Sequence, residues 1–379
     1  MFQRSILHLD LDSFFVSVER LRNSQLNGIP LIIGGYSDRA VVASCSYEAR
    51  AYGVRSAMPV RKALQLCPDA TVLRGDMEAY QKHSKVVTEI IREQAPLFEK
   101  SSIDELFLDL SGMDKYVGCW HWAQELRQKI IKESGLPISS GLSVNKLISK
   151  IGTGEEKPLG EKLIQPGHEK AFIAPMSVRK IPSIGKVTYK KLSLMGIHDV
   201  KTLSEIPQLL LQREFGKNGL ALWKKANAID HSPVVPYRER KSISTEHTFE
   251  HDTIDVELLQ NYITKVVVKL AYELRTQKRL TSTIAIKLRY ADLNTYSKQQ
   301  QIPYTASDKT LIELAHHLFD KLYQKRQLVR LIGVRFGKLI HGQQQMELFN
   351  DSHKEQELLR VMDDIRDKFG AKAIKRAIY

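Results

Sequence analysis

Carboxylates stand inside two apolar segments of this chain, and they restrict its fold more than any other feature. Along Ile6–Asp12, Leu7, Leu9 and Leu11 alternate with His8, Asp10 and Asp12, the period of a half-buried strand. The second segment, Ser102–Asp109, carries Asp104 and Glu105 side by side. A carboxylate among aliphatic side chains loses its hydration, which is tolerable only where a cation replaces the water. Mg²⁺ takes hard oxygen ligands and shares carboxylates with phosphates, so two such segments meeting in space predict a two-metal phosphoryl-transfer site. A regular strand sends neighbouring side chains to opposite faces. For Asp104 and Glu105 to serve one site, a turn or bulge is required there.

With 379 residues the chain is long enough for several cores, and more than two domains are expected. Its 57 Lys and Arg against 43 Asp and Glu leave a net charge of +14, which favours a polyanionic partner, nucleic acid before membrane. Cys45, Cys67 and Cys119 form no CxxC pair, as expected of a reducing cytoplasm and of a chain without structural zinc. Asp10 and Asp12 interrupt the first apolar stretch and no long apolar run follows, so neither a signal peptide nor a membrane span is expected.

Strand and helix patterns interleave to about residue 165: helices over 13–22, 46–52, 82–93 and 120–133, strands over 30–35, 41–44, 107–110 and 138–143. Short helical segments punctuated by Pro and Gly follow as far as Ile229. Residues 232–241 have the extended, charged composition of a linker. Beyond them, strands over 282–290 and 329–338 and helices over 255–278 and 308–326 predict one sheet with helices. Leu358, Met362, Ile365 and Phe369 have the spacing of a helix packed on that domain.

Asp10-Leu11-Asp12-Ser13-Phe14-Phe15, Ser46-Tyr47-Glu48-Ala49-Arg50, Gly53-Val54-Arg55-Ser56-Ala57-Met58-Pro59, Ser102-Ile103-Asp104-Glu105 and Gly141-Leu142-Ser143-Val144-Asn145-Lys146 resemble, in order and spacing, the motifs of the Y-family of translesion DNA polymerases, most closely its bacterial type, over about residues 4–340. The resemblance implies an α+β multidomain fold, a right hand of palm, fingers and helical thumb joined to an α/β little finger. Residues 1–10 and 77–166 would form the palm, 11–76 the fingers, 167–232 the thumb with a helix-hairpin-helix, 233–241 a linker, 242–341 the little finger and 342–379 a tail. It implies a template-directed DNA polymerase of low fidelity, without proofreading, that extends a primer opposite damaged bases.

By the same resemblance Asp10, Asp104, Glu105 and the Leu11 carbonyl would hold two Mg²⁺ ions, with Asp12 in support. Tyr47, Arg50 and Lys157 would grip the triphosphate of a dNTP, Arg through a bidentate fork. Phe15 would be the steric gate against ribose, next to Phe14, which reads as a core aromatic. Ser44, Ala57 and Met58 would line a roof of small contacts over the nascent base pair. Primer-template DNA would meet Gly185, Lys186 and Lys190 of the hairpin Ile181–Gly185, then Lys287, Arg289, Arg330 and Arg335 of the little finger. Gln345-Met346-Glu347-Leu348-Phe349 resembles the pentapeptide by which bacterial polymerases bind the sliding clamp, with Gln345, Leu348 and Phe349 as anchors. The protein would be a cytoplasmic monomer.

The chain departs from the family at Gly152–Glu156, where Ala-Ser is usual, and at Leu106, where Ala is usual. A non-catalytic clamp-binding relative would have lost the acidic triad that this chain keeps. A two-metal nuclease would leave Phe15, Tyr47 and Arg50 without a role.

Overall fold

The computed structural model describes residues 4–113, 118–324, 327–342, 352–370 and 373–374. The chain forms two compact units, Met1–Arg238 and Glu239–Tyr379. In the first unit the elements run β1 (Ile6–Leu11), α1 (Phe14–Arg22), β2 (Leu31–Gly34), β3 (Val42–Cys45), α2 (Tyr47–Ala51), α3 (Val60–Leu66), β4 (Thr71–Leu73), α4 (Met77–Gln94), β5 (Phe98–Lys100), β6 (Glu105–Asp109), α5 (Cys119–Ser134), β7 (Ile138–Ser143), α6 (Lys146–Glu155) and β8 (Glu161–Leu163). Its main sheet has the order β5-β6-β1-β7-β8, with β1 antiparallel to both neighbours. The alternation in β1 decides which side is core. Leu7, Leu9 and Leu11 pack with Ile90 and Ile91 of α4 and Leu126 and Ile130 of α5, leaving His8 and Asp10 to the opposite face.

Helix α6 lies on that opposite face, and its closeness depends on one residue of β7. A Cβ on Gly141 would stand 2.3 Å from the Ser149 carbonyl oxygen and 2.7 Å from the Thr153 nitrogen. Gly141→Ala is therefore expected to cost about 1–3 kcal/mol, as overpacking does, read as a lowered urea midpoint; an unchanged midpoint would mean that α6 can move aside.

A smaller sheet, β3-β2-β4, packs with α2 and α3 around Ile32, Val42, Ala49 and Ala63. Short helices follow: α7 (Glu169–Ile173), α8 (Lys186–Leu194), α9 (Val200–Glu205), α10 (Gln208–Phe215) and α11 (Lys217–Ala226). They share a core that includes Ile173, Leu192, Leu203 and Leu211. Cys45, Cys67 and Cys119 are buried and form no disulfide.

The second unit contains β9 (Ser242–Thr253), α12 (Val256–Thr276), β10 (Arg279–Tyr290), β11 (Thr295–Thr305), α13 (Asp308–Leu322), β12 (Val329–Gly337), β13 (Ile340–His341) and α14 (Ser352–Phe369). Strands β11-β10-β12-β9 form one antiparallel sheet. Ile284, Ile286 and Leu288 of β10 face the core shared with α12 and α13. Helix α14 seats itself differently from the expected apolar stripe, since Leu358 and Phe369 are exposed while Leu359 and Arg366 are buried. Its seam is ionic. Arg275 Nε donates to Asp363 at 2.5 Å and its NH1 to the buried Asp308 at 2.7 Å, with Arg366 on Asp363 at 3.1 Å. Among the described residues no helix is long and apolar enough to cross a membrane.

Candidate active site

Asp10 and Glu105 are direct cross-strand partners of β1 and β6, and so share one face of the sheet. Asp104 precedes the strand in a bend, where the N–H groups of Ser101 and Ser102 both donate to the Glu105 carbonyl and the Leu11 N–H donates to the Asp104 carbonyl at 3.0 Å. This is the turn that adjacent acidic residues need. A cleft of about 200 Å³ is lined by Asp10, Asp104, Phe15, Ser44, Arg50 and Lys157, together with Leu11.

Lysines meet the carboxylates. Lys157 bonds Asp10 and stands 3.6 Å from Asp12, and Lys150 of α6 bonds Glu105 through Oε2. Burial pushes the Asp10 carboxyl up to about 6 against the opposing pull of Lys157. The His8 ring and the Lys150 ammonium hold Glu105 down at about 2 although burial opposes them. Asp12 is enclosed, accepting from Ser139 Oγ at 2.8 Å, the Leu159 N–H at 2.8 Å and the Tyr47 hydroxyl at 3.3 Å. With its lone pairs taken, it braces the site.

Among the described residues no group of three or more His, Cys, Asp or Glu stands ready to hold a metal ion. The donor chemistry nevertheless fits one. Asp10, Asp104 and the Leu11 residue meet in one cleft beside Glu105, all hard oxygen donors, and the two lysines show that these anions require positive charge.

Helix α2 starts at the capping residue Ser46, whose side chain accepts from the Ala49 N–H. Arg50 lies over the Tyr47 ring at 4.7 Å, and burial with the Asp12 charge pushes the Tyr47 hydroxyl up to about 12. Phe14 is buried in the core, whereas Phe15 is half-buried and stacks on Tyr80 with ring centroids 4.3 Å apart and planes 11° off parallel. Ser44 is buried on β3, Met58 is half-buried, and Ala57 is exposed with a left-handed backbone at φ 66°.

In the hairpin before α8 the left-handed residue is Ser183 at φ 79°, while Gly185 is extended at φ −84° and caps the start of the helix. Lys186 and Lys190 are exposed. On the outer face of the second unit Lys287 pairs with Glu246 at 2.8 Å, Arg289 Nε donates to Thr295 at 2.8 Å, and Arg335 sits across from Ala285 on the same face. Arg330 does not join this row: Arg289 pairs with Leu331 and Tyr290 with Val329, leaving Arg330 as the extra residue of a bulge. Gln345, Leu348 and Phe349 lie outside the described residues.

His8, Tyr80, Lys150 and Thr153 belong to this site and were not singled out from sequence. His8 alone had a signal there, its alternation with Asp10 and Asp12.

A sheet that joins paired acidic residues to a cleft with basic and aromatic walls defines a nucleotidyltransferase of the polymerase class. The impB/mucB/samB family matches residues 9–154 and that family's C-terminal domain residues 240–348. DNA polymerase IV of Listeria innocua is 36% identical over 334 residues, 87% of this chain and 94% of that protein. DNA polymerase IV of Dehalococcoides mccartyi is 33% identical over 376 residues, 98% and 96% of the two chains. Among solved structures, a Dbh–Dpo4 Y-family DNA polymerase chimera superposes with a TM-score of 0.80 and an insertion ternary complex of Dbh DNA polymerase with 0.65, each 27% identical and covering 89% of this chain and 100% of that chain. The chain belongs to the impB/mucB/samB family, the Y-family DNA polymerases. It is a DNA-directed DNA polymerase of the translesion type, a transferase that acts with divalent metal on primer-template DNA and deoxynucleoside triphosphates.

Proposed function

We propose that synthesis takes place in the cleft before β1 and β6, with Asp10, Asp104, Glu105 and the Leu11 carbonyl holding two Mg²⁺ ions. The observation that carries this reading is the in-register pairing of Asp10 with Glu105, with Asp104 on the wall of the same cleft. When bound, such an ion pair lowers the cost of a 3′-oxyanion and of charge on departing pyrophosphate. The chain's own residues position the reactants. Arg50 and Lys157 hold the triphosphate, Tyr47 is braced by Asp12, and Phe15 occupies the space where a ribose 2′-hydroxyl would enter. Ser44, Ala57 and Met58 roof the base pair, and their small contacts check its shape weakly, which admits damaged templates.

Residues 1–10 and 77–166 act as palm, 11–76 as fingers, 167–232 as thumb, 242–341 as little finger and 342–379 as tail, with 233–241 the linker. Gly185, Lys186 and Lys190 take backbone phosphates in the thumb. Lys287, Arg289 and Arg335 do so in the little finger, with Arg330 at its bulge. Gln345, Leu348 and Phe349 bind a sliding clamp. The polymerase works as a monomer in the cytoplasm, and its buried cysteines, none in a disulfide, accord with a reducing compartment. Primer extension is expected to stop with a chelator and, at low concentration, to rise with roughly the square of added Mg²⁺. A first-power dependence would remove one ion, and extension in the chelator would overturn the reading.

A further inference from the structure

Asp104 is fixed through its backbone on both sides. The Ile103 carbonyl and the Asp104 N–H lie in one peptide plane, and the Asp104 carbonyl and the Glu105 N–H lie in the next. Each of these four groups has a partner. Ser102 Oγ accepts from the Asp104 N–H at 3.3 Å and from the Glu105 N–H at 3.0 Å, while the Asp104 carbonyl accepts from the Leu11 N–H at 3.0 Å. The fourth partner comes from a helix: the Ser84 hydroxyl of α4 donates to the Ile103 carbonyl, and no other donor reaches that oxygen among the described residues. With both planes held at both ends, φ and ψ of Asp104 are set, and with them the direction in which its side chain leaves the chain. Behind Ser84 stands Lys100, the last residue of β5. Its Nζ donates to Ser84 Oγ at 2.7 Å and to Thr88 Oγ1 at 3.0 Å, two buried hydroxyls one helical turn apart. An ammonium has donors and no acceptor, and Thr88 sends its own proton to the Ser84 carbonyl at 2.6 Å, so the Ser84 proton is left for Ile103. Among the described residues Lys100 forms no ion pair, and its charge goes to these two oxygens.

We infer that Lys100 is a positioning residue for Asp104, acting through the Ser84 hydroxyl on the Ile103–Asp104 peptide. A bond from an ammonium polarises the hydroxyl that accepts it and strengthens the bond which that hydroxyl donates in turn. Without Lys100, Ser84 turns its proton back to a carbonyl of its own helix, as serines within helices do, and the Ile103 carbonyl loses its partner. The peptide plane then rocks and carries the carboxylate away from the place where it meets an ion. Carboxylates around metals owe their orientation to such outer partners. Charge alone predicts the reverse, since an ammonium repels a cation and its removal should tighten cation binding. The inference rests on the reading of Asp104 as a metal ligand.

The test uses the full chain with Lys100→Met, Lys100→Arg, Ser84→Ala, the double variant of Lys100→Met with Ser84→Ala, and Asp104→Ala. Hydrogen exchange at the Asp104 and Glu105 N–H groups of the metal-free protein reads the bend. Electron paramagnetic resonance reads Mn²⁺ binding in a complex with dNTP and a dideoxy-terminated primer-template, which cannot react. Lys100→Met and Ser84→Ala should each speed that exchange and weaken Mn²⁺ binding about 10-fold, and Lys100→Arg should keep most of the affinity. The double variant should lose no more than Ser84→Ala alone, because the two residues act in series. Lys100 is exposed, so Lys100→Met carries the test should Ser84→Ala fail to fold. Exchange at the wild-type rate in Lys100→Met, Mn²⁺ affinity there within about twofold of wild type or tighter, or losses that add in the double variant would overturn the inference. Asp104→Ala separates the two readings: if it too binds Mn²⁺ like wild type, the site assignment fails, and if it alone loses the ion, only the role of Lys100 fails.

Discussion

Asp104→Ala is expected to slow single-nucleotide incorporation by about 10³-fold, equivalent to about 4 kcal/mol of lost transition-state stabilisation, while leaving the fold intact. Both halves of this expectation come from where the residue sits. The structural role in the bend belongs to the backbone: the Asp104 carbonyl accepts from the Leu11 N–H, and the Ser101 and Ser102 N–H groups close the turn on the Glu105 carbonyl. Among the described residues the Asp104 carboxylate itself bonds only the Ser102 hydroxyl, at 2.5 Å, and lies at the cleft wall. Removing it opens no core cavity, so the unfolding free energy should change by less than about 1 kcal/mol. Asp12 offers the contrast. It is buried and accepts from Ser139, Leu159 and Tyr47, so its loss would strand three donors and damage structure and chemistry together. Rapid-quench incorporation beside a denaturation curve decides the matter. A rate within about tenfold of wild type, in a folded protein, would mean that Asp104 does not hold an ion.

What could be read before any coordinates was whatever a local pattern encodes. Leu7, Leu9 and Leu11 announce β1 because one of its faces is core, and β7 runs over Ile138–Ser143 as expected because both of its faces are covered. Helix α4 begins at Met77, five residues before the expected start. Its signal is the cap at Asp76, which accepts from the Ala79 N–H, and not an apolar period. Strands β9 and β11 escaped notice for the opposite reason. Thr295–Thr305 is an edge strand with Gln299, Gln300 and Gln301 along it, held by its ladder to β10, so its side chains carry little alternation.

The site divides in the same way. The acidic positions are legible because a carboxylate in an apolar run is anomalous wherever it occurs. Lys150 is not, because its partner Glu105 is 45 residues away and the two meet only through the tight seat of α6 on Gly141. Tyr80 is likewise an ordinary helical aromatic until packing places it under Phe15. The seam of α14 departs from its sequence pattern for a related reason: Arg275 and Asp363 supply the contact where the spacing predicts an apolar stripe, and ion pairs leave no periodic trace.

Phe15→Ala should admit ribonucleotides, raising their incorporation relative to deoxyribonucleotides by about 30-fold, the effect of relieving about 2 kcal/mol of steric overlap. A gate discriminates only if it cannot yield, and Phe15, proposed for that role, is stiffened by its neighbours. The Phe15 ring lies flat on Tyr80, and the Tyr80 hydroxyl donates to Glu19 at 2.7 Å, which ties α4 to α1. Phe14 closes against the same pair, 5.6 Å from Phe15 and 6.2 Å from Tyr80, and is itself buried in the core. A sugar that presses on Phe15 must therefore displace a cluster of three rings anchored in two helices. A ribose 2′-hydroxyl would meet an unyielding surface, whereas a deoxyribose fits beside it. The variant should also lose some stability, because the ring is partly buried, so the comparison is made as a ratio of ribo- to deoxyribonucleotide efficiencies in one preparation, from which the folded fraction cancels. Sugar selectivity equal to that of wild type in that ratio would remove Phe15 from the gate and move the discriminating contact elsewhere on the cleft wall.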